Sequence, residues 1–418
     1  MAKLVKVFKV LQNNWKKSTV GSLALMYGVN YGKERYRIEN LMREYCEVAQ
    51  QYGDMPIPVE LQPRHIVVIL NPNANKRKAK EQFDKYCAPL LHLAGNTVTI
   101  LQTTKEGHAR DLVKNLPINT DALVIAGGDG TLSEAITGIM REKDGKCSYK
   151  IGIIPLGKTN SVAKSLIKED ISTKSIADAT MNVLRGTTKV VDAIRIDVLQ
   201  DDDGSKPVYG LSGIKWGAYR DVERKEDKYW YFGPLRGYAA VLFSGSNNEK
   251  INASIAYTPP CSGCSKCYPH RPELHPVIIK KQWWRYLIPN TNWKTAEKPL
   301  IDYMKISNDM CGIISLKEVN SLDFNLVTSN VAPDIQGVQL HLGPSNLSFV
   351  EFLKEGWSRV KGKKAQIIEK LDAQVVEIMP NENQESEKFL SIDNEEYEVR
   401  PIRITLLSRV VQLFTDRY

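Results

Sequence analysis

The residues best suited to chemistry are the pentapeptide 127–131, which reads Gly-Gly-Asp-Gly-Thr. It follows the apolar run 121–126 and precedes a helical pattern at 132–141, so it predicts a turn between a strand and a helix. The glycines let phosphate oxygens approach backbone amides, and the helix start adds its positive end. Asp129 could contact magnesium or orient a hydroxyl group, and Thr131 could bind phosphate or cap the helix. A phosphate site is therefore favoured over a plain tight turn.

Short runs rich in β-branched residues must position this turn. They lie at 65–70, 97–101, 121–126 and 151–154, with helical patterns at 76–93 and 107–116 between the first three. Strands that alternate with helices predict a parallel sheet covered on both faces.

Polar and glycine-containing turns follow the other predicted strands as well. Asn71 and Pro72 follow the first strand, Thr103 follows the second, and the turn 155–157 follows the fourth. Ligands of open α/β sheets bind at the carboxyl ends of the strands. The sequence therefore predicts one binding edge that collects all of these turns.

Composition sets broad limits on the protein class. The chain has 418 residues, of which 42% are hydrophobic and 25% charged, as in ordinary globular proteins with room for two domains. The net charge of +9 favours acidic partners such as nucleic acid, anionic lipid headgroups or phosphates, although solvated lysines on a soluble enzyme give the same value. Seven cysteines are too few, and odd in number, for a disulfide scaffold.

The N-terminus is basic. Residues 1–17 carry five lysines and no acid, which suits a mitochondrial address, an interfacial membrane anchor or an amphipathic helix packed on the core. The apolar stretch 20–31 is too short and glycine-rich to predict a spanning helix. A helix is predicted over 34–51, with Leu41, Tyr45 and Val48 on one face.

The second half has a β pattern. Alternating segments at 310–349 and 373–407 predict strands. We therefore expect an N-terminal segment at 1–60, a nucleotide-binding domain at 61–190 and a β-rich domain at 191–418. Two segments stay open: 212–217 suits either a cleft wall or a structural turn, and the basic, aromatic segment 280–288 suits either a membrane interface or packed core.

Three thiols are closely spaced at Cys261, Cys264 and Cys267. A structural zinc site needs four ligands, and His270 or His275 could supply the fourth. Redox chemistry, a disulfide and an insert without special chemistry are the alternatives. Late in the chain, residues 393–398 are acidic, and by themselves they suit a solvated strand.

The ordered turns 71–72, 127–131 and 155–157 resemble those of the diacylglycerol kinase catalytic family, which includes sphingosine and ceramide kinases. Further segments resemble its mitochondrial acylglycerol kinase branch, at 15–17, 88–93, 228–235 and 391–398. The resemblance covers nearly the whole chain and thins between 259 and 299. It implies an N-terminal α/β domain with a parallel sheet, a C-terminal β-sandwich domain and an ATP cleft between them.

The resemblance also implies which residues bind the nucleotide. Together with the strand-end turns, it predicts an ATP site made of Asn71, Pro72, Asn73, Ala74, Asn75, Thr103, Gly127, Gly128, Asp129, Gly130, Thr131, Leu132, Ser133, Glu134, Pro155, Gly157 and Lys158. Lys158 could add positive charge near the phosphates or be a solvated lysine. The chain departs from the family pattern at Ala74 and Asn75, where Ser-Gly is usual, and at Ser161, where an acid is usual.

The catalytic groups implied by the resemblance are Glu395 as general base, Asp393 as its close partner, and Asp129. Asn394 replaces the usual glycine of this motif, and asparagine tolerates the left-handed backbone that such a turn requires. ATP is the implied co-substrate and Mg²⁺ the implied cofactor, with Asp129 or Asp393 as candidate ligands.

The implied reaction is phosphorylation of monoacylglycerol to lysophosphatidic acid and of diacylglycerol to phosphatidic acid. Implied partners are acylglycerol lipids, a membrane surface bound through the N-terminal segment, and a carrier-import translocase, but no nucleic acid. The implied location is the mitochondrial inner membrane, facing the intermembrane space. The alternatives are a ceramide or sphingosine kinase, a soluble kinase that phosphorylates NAD or a sugar phosphate, and a non-catalytic subunit of the import complex.

Overall fold

The computed structural model describes residues 15–56, 62–142, 145–167, 172–199, 204–244, 250–268, 302–332, 335, 337–381 and 389–415. The chain divides into two units. The first comprises residues 1–131, 149–189 and 413–418, and the second comprises residues 132–148 and 190–412.

The first unit is built on a parallel sheet. Its strands are β1 (His65–Leu70), β2 (Thr97–Gln102), β3 (Ala122–Gly127) and β4 (Lys150–Pro155), in the spatial order β2-β1-β3-β4. Ile66 pairs with both Val98 and Ala122, which sets the parallel register. All residues of β1 and β3 are buried, as their unbroken apolar runs require for strands covered on both faces. The parallel sheet expected from the sequence is confirmed.

Helices surround this sheet. They are α1 (Trp15–Gly53), α2 (Ala74–Arg77), α3 (Ala79–Tyr86), α4 (Ala88–Leu93), α5 (His108–Leu112) followed by a 3₁₀ turn (Val113–Asn115), the start of α6 (Asp129–Glu142), α7 (Ser161–Ile167) and α8 (Thr173–Arg185). The core includes Phe83, Leu90, Leu91, Ile176 and Met181.

The single helix predicted over 76–93 is wrong, because three short helices occupy this segment. Asn75 and Lys76 have positive φ values of 50° and 56°, which disrupts the first helix. Pro89 lies in the first turn of α4, the place where proline fits because that amide has no intrahelical acceptor.

Helix α1 is longer than the predicted span 34–51. Leu41 and Tyr45 pack on the core as expected, and the Tyr45 hydroxyl lies 2.5 Å from Asp178 Oδ1. Val48 does not share this face. It is exposed, whereas Ala49, eight residues after Leu41, is fully buried. No helix in the described ranges is long and apolar enough to cross a membrane.

The second unit contains two antiparallel sheets. The first includes β5 (Thr188–Val198), β6 (Val208–Gly210), β8 (Ile251–Thr258), β9 (Ser315–Ser321), β13 (Val375–Pro380) and β16 (Ile402–Phe414). The other has the order β12-β11-β10-β7-β14-β15, with β7 (Gly213–Gly217), β10 (Asp323–Thr328), β11 (Val338–Leu342), β12 (Glu369–Ala373), β14 (Phe389–Ile392) and β15 (Glu395–Glu398). The expected β-rich C-terminal domain is confirmed.

One core joins these two sheets. Side chains from both sheets meet in it, including Trp216, Ile255, Phe324, Leu340 and Ile404. Helices α9 (Ala218–Lys225), α10 (Arg236–Ser244) and α11 (Phe349–Val360) form a smaller cluster, and short 3₁₀ segments lie at Glu226–Leu235 and Tyr303–Lys305.

Some sequence predictions lie outside the described residues. These are most of the basic segment 1–17, the histidines at 270 and 275, and the aromatic segment 280–288.

Candidate active site

The glycine-rich turn and the turn after β4 are hydrogen-bonded to each other. The Gly127 carbonyl accepts the backbone N–H groups of both Leu156 and Gly157 at 3.0 Å. Gly157 packs so closely that a Cβ there would lie 2.2 Å from Gly128 Cα and 2.6 Å from Gly128 N. Because those neighbours are backbone atoms, no side-chain rotation would relieve the clash. Glycine is required at 157 for these two strand ends to meet.

The turn after β1 joins the same edge. The Asn71 backbone N–H donates to Ala126 O at 3.0 Å, and its side-chain amide donates to Thr131 Oγ1 at 3.0 Å. The Asn71 side-chain oxygen also accepts the Asn73 N–H at 3.1 Å. The three predicted turns therefore form one hydrogen-bonded edge at the carboxyl ends of β1, β3 and β4.

Helix α6 begins at Asp129, three residues before the start expected near Leu132. Thr131 therefore lies in the first turn and does not cap the helix, so that part of the expectation is wrong. The earlier start leaves Gly128, which contacts Gly157 closely, as the sole connecting residue between β3 and α6. It places the positive end of α6 directly beside the two glycines.

Asp129 is 2% exposed. Its Oδ2 accepts the Ser161 backbone N–H at 2.9 Å, and its own N–H donates to Thr159 O at 3.0 Å. The carboxylate thus satisfies an amide at the start of α7. The bond uses the backbone of Ser161, so the serine that replaces the usual acid does not disturb it.

Asn160 supports this edge, and sequence reasoning gave it no role. Its Oδ1 accepts the Gly157 N–H at 3.2 Å, and its Nδ2 donates to Gly157 O at 2.8 Å. These two bonds hold the glycine turn from one side. The sequence sign of this role is an asparagine three residues after a glycine. Many loops have the same spacing, so the sign is not specific.

The remaining predicted nucleotide residues differ in environment. Thr103 is buried, and its N–H donates to Leu70 O at 2.9 Å. Asn75 donates to Gln82 Oε1 at 3.2 Å, and Lys158 is exposed. Ser133 is buried in the second unit, where its hydroxyl donates to Tyr209 O at 3.4 Å. The others are Pro72, Ala74, Gly130 and Glu134, which are half-buried, and Leu132 and Pro155, which are buried.

A tight hairpin carries the late acidic residues in the second unit. Ile392 pairs with Glu395, so Asp393 and Asn394 form a two-residue turn between β14 and β15. Their φ values are 48° and 67°. Two consecutive positive φ values define the type I′ turn, which matches the twist of the flanking strands. The expectation that Asn394 preserves a left-handed turn is confirmed.

Both oxygens of the Asp393 carboxylate accept hydrogen bonds from protein donors. Oδ2 accepts the Leu211 N–H at 2.7 Å, and Oδ1 accepts the Ser212 N–H at 2.8 Å, the Ser212 hydroxyl at 2.6 Å and the Gly213 N–H at 3.1 Å. Burial raises the pKa of Asp393, and these hydrogen bonds oppose the rise because they stabilise the carboxylate. Asp393 thus fixes the hairpin against the turn 211–213.

Glu395 is the half-buried acid beside this turn. Its Oε2 accepts the Tyr397 hydroxyl at 3.2 Å, and both side chains lie on the same face of β15. Its neighbour Glu396 points to the other face and binds Arg220 at 2.6 Å and Arg224 at 2.8 Å. The two glutamates therefore lie on opposite faces of β15, and the arginines bind Glu396.

Comparison with known proteins agrees with this architecture. The profile of the diacylglycerol kinase catalytic domain matches residues 65–196, and the profile of the acylglycerol kinase C-terminal domain matches residues 211–418. Among solved structures, a diacylglycerol kinase from Bacillus anthracis superposes with a TM-score of 0.51 at 17% identity, covering 85% of this chain and 99% of that chain. The fold and sequence place the chain in the diacylglycerol kinase class.

Relatives that match along the whole chain define the family more narrowly than the domain profiles do. The mitochondrial acylglycerol kinases of Xenopus laevis and Homo sapiens are each 34% identical over 98% of this chain, which covers 94% and 96% of those proteins. Sphingosine kinase 1 of Arabidopsis thaliana is 28% identical over 42% of this chain. The chain belongs to the acylglycerol kinase family.

Proposed function

We propose that this chain is an ATP-dependent lipid kinase that phosphorylates monoacylglycerol to lysophosphatidic acid and diacylglycerol to phosphatidic acid. The observation that carries the proposal is the relationship to acylglycerol kinases along 98% of the chain, which spans both the glycine edge and the acidic hairpin. A match to the catalytic domain alone would leave the acceptor open.

ATP phosphates are proposed to bind at the joined strand ends of the first unit. Gly127 and Gly128 leave room for phosphate oxygens, and the first turn of α6 presents amides and a positive dipole. Asn71 and Asn160 hold the flanking turns through their hydrogen bonds. Asp129 also holds the start of α7 in place through its bond from the Ser161 N–H.

Glu395 is proposed as the general base. As the lipid hydroxyl oxygen attacks the γ-phosphorus, the bond from that phosphorus to the bridging oxygen of ADP breaks, and Glu395 takes the hydroxyl proton. Asp393 keeps the hairpin that carries Glu395 in position. Tyr397 orients the Glu395 carboxylate through its hydroxyl.

Magnesium suits one of its two candidate ligands better than the other. Both oxygens of Asp393 accept protein donors, so that carboxylate does not fit a metal ion. Asp129 lies at the proposed phosphate edge and would hold the ion together with ATP oxygens. When bound, magnesium would neutralise phosphate charge during transfer.

A mitochondrial location is proposed from the named relatives. The inner membrane, its intermembrane-space side and a carrier-import translocase partner belong to this proposal through the family resemblance. Contact with a membrane has structural support in α1, whose residues 20–31 expose large apolar side chains, among them Leu25 at 71% and Tyr27 at 75%.

A second exposed surface lies in the second unit. We call it the aromatic patch; it consists of Trp230, Tyr231, Phe232, Leu235 and Phe243, which are 40–74% exposed. Residues 224–236 around it carry four basic and two acidic side chains, a net charge of +2. Aromatic rings beside basic residues favour the interface of an anionic bilayer. We propose that this patch docks on the membrane that holds the lipid acceptor.

An acceptor panel tests the function. Purified full-length chain with radiolabelled ATP and magnesium is expected to label monoacylglycerol and diacylglycerol in mixed vesicles. Sphingosine, ceramide and NAD⁺ serve as competing acceptors. Preferred labelling of one of these three would replace the proposed acceptor class, and no labelling of any acceptor would favour a non-catalytic role.

The aromatic patch gives a separate prediction. Trp230→Ser combined with Phe243→Ser is expected to weaken binding to anionic vesicles at least ~10-fold, because each exposed aromatic ring loses about 1.5–3 kcal/mol of burial in the membrane. Vesicle co-sedimentation measures the change. Leu316→Ser is the control, since Leu316 is 81% exposed on β9 but lies outside the patch. Equal binding by both variants would contradict membrane docking at this surface.

A further inference from the structure

Four thiols that the kinase proposal does not use come together in the second unit. The sulfur atoms of Cys261, Cys264, Cys267 and Cys311 all lie within 4.8 Å of one another. Cys261 and Cys264 are buried, and Cys267 and Cys311 are half-buried. The three closely spaced cysteines therefore acquire their fourth partner from a residue 44 positions beyond Cys267, and neither histidine is needed.

The sheet topology explains why Cys311 lies beside the other three cysteines. Strands β8 and β9 are antiparallel neighbours, and Tyr257 pairs with Ser315 at one end of the ladder. Cys261 lies four residues after Tyr257, and Cys311 lies four residues before Ser315. The long connection between the two strands thus starts and ends at adjacent points, which brings both cysteine segments to one place.

Two hydrogen bonds hold the segment of Cys261–Cys267 against the residues that precede Cys311. The Ser265 N–H donates to Ile306 O at 2.9 Å, and the Lys266 ammonium donates to Asp309 O at 3.3 Å. Within the first segment, the Cys264 N–H donates to Cys267 Sγ at 3.3 Å. An amide that donates to a cysteine sulfur stabilises negative charge on it, which favours the thiolate that binds metal.

The distances between the sulfur atoms distinguish a metal site from a disulfide. Cys267 Sγ lies 3.8 Å from both Cys261 Sγ and Cys264 Sγ. A disulfide requires about 2.05 Å. A tetrahedral zinc ion with bonds of about 2.3 Å places its sulfur ligands about 3.8 Å apart. Two of the sulfur–sulfur distances thus equal the spacing in a Cys₄ zinc site, and all the others are at most 4.8 Å.

Electrostatic repulsion among the four sulfur atoms also favours a bound cation. Four thiolates at this distance repel one another, so they can be deprotonated together only around a cation.

We propose that Cys261, Cys264, Cys267 and Cys311 bind one structural Zn²⁺ ion. Each thiol releases its proton to solvent and forms one sulfur–zinc bond, with no change of oxidation state. With four protein ligands the ion has no open position, so it is structural and takes no part in phosphoryl transfer. It fastens the two ends of the connection between β8 and β9, and this role is independent of the lipid-kinase proposal.

Metal analysis of the full chain, purified without added metal, tests the site. We expect about one zinc per chain by mass spectrometry, falling close to zero in Cys264→Ser and in Cys311→Ser. Cys46→Ser and Cys147→Ser are matched controls, since both cysteines are half-buried and lie outside the cluster. They are expected to keep the zinc.

Thiol titration of the unaltered chain keeps the test decisive if the variants fail to fold. Four thiols are expected to become reactive when a zinc chelator is added, without any reductant, and the unfolding temperature is expected to fall. Thiols released only by a reductant would establish a disulfide and overturn the proposal. Four thiols reactive without chelator in a metal-free chain, or stoichiometric iron in place of zinc, would also overturn it.

Discussion

Glu395→Gln is expected to lower kcat for lipid phosphorylation by about 10²–10⁴-fold, the usual contribution of a general base. Glutamine has nearly the same shape as glutamate and can still accept the Tyr397 hydroxyl bond, so the hairpin should stay folded. It cannot take the proton from the lipid hydroxyl. Affinity for ATP should not change, because the proposed phosphate site lies in turns of the first unit. Radiolabelled product formation and calorimetric ATP titration measure the two quantities.

Glu398→Gln is the matched control for this experiment. Glu398 lies at the far end of the same strand, is exposed, and pairs with Arg400 at 2.7 Å. Exposed ion pairs contribute little, so this variant should keep full activity. Unchanged turnover in Glu395→Gln would remove the base assignment. A loss of ATP affinity together with turnover would mean that the substitution acts on folding or on nucleotide binding.

Asp393→Asn is expected to reduce the free energy of unfolding by about 3 kcal/mol, since hydrogen bonds to charged groups contribute about 1.5–3 kcal/mol each. All the known partners of Asp393 donate hydrogen bonds, whereas asparagine replaces one accepting oxygen with a donor. At least one buried amide, such as that of Leu211, would then face another donor. Thermal unfolding followed by circular dichroism should show the midpoint fall by roughly 6–12 °C.

Asp372→Asn serves as the control for Asp393→Asn. Asp372 is exposed on β12 of the same sheet and accepts a single bond from Gln339 at 2.7 Å, so its loss should stay within about 0.5 kcal/mol. Ser212→Ala should fall between the two variants, because it removes one donor and leaves both carboxylate oxygens bonded. If Asp393→Asn unfolded at the same temperature as the unaltered chain, the carboxylate would not anchor the hairpin.

The local pattern was sufficient to predict the parallel sheet of the first unit. Strands β1 and β3 are continuous apolar runs. Such runs, when helical segments flank them in the sequence, predict central strands of a parallel sheet. The turns that follow must then meet at one edge of the sheet. Prediction was weaker where backbone geometry decided the outcome, as at Asn75 and Lys76, whose positive φ values interrupt the predicted helix.

Long-range contacts decided the rest. The acidic segment at 393–398 reads as a solvated strand, yet Asp393 is 2% exposed because its partners lie about 180 residues earlier in the chain. Cys311 likewise gives no sign of belonging with Cys261, Cys264 and Cys267 until β8 pairs with β9.

The sequence by itself determined the parallel sheet, the edge at which the strand-end turns meet and, through its resemblance to a lipid-kinase family, the proposed reaction. These depend on local periodicity and on residues close together along the chain. The tertiary structure alone decided that both oxygens of Asp393 accept hydrogen bonds from the turn 211–213, that Glu396 binds two arginines, and that four thiols form one cluster. Each of these depends on which donors, cations or sulfur atoms folding brings within bonding distance, and sequence spacing does not record those distances.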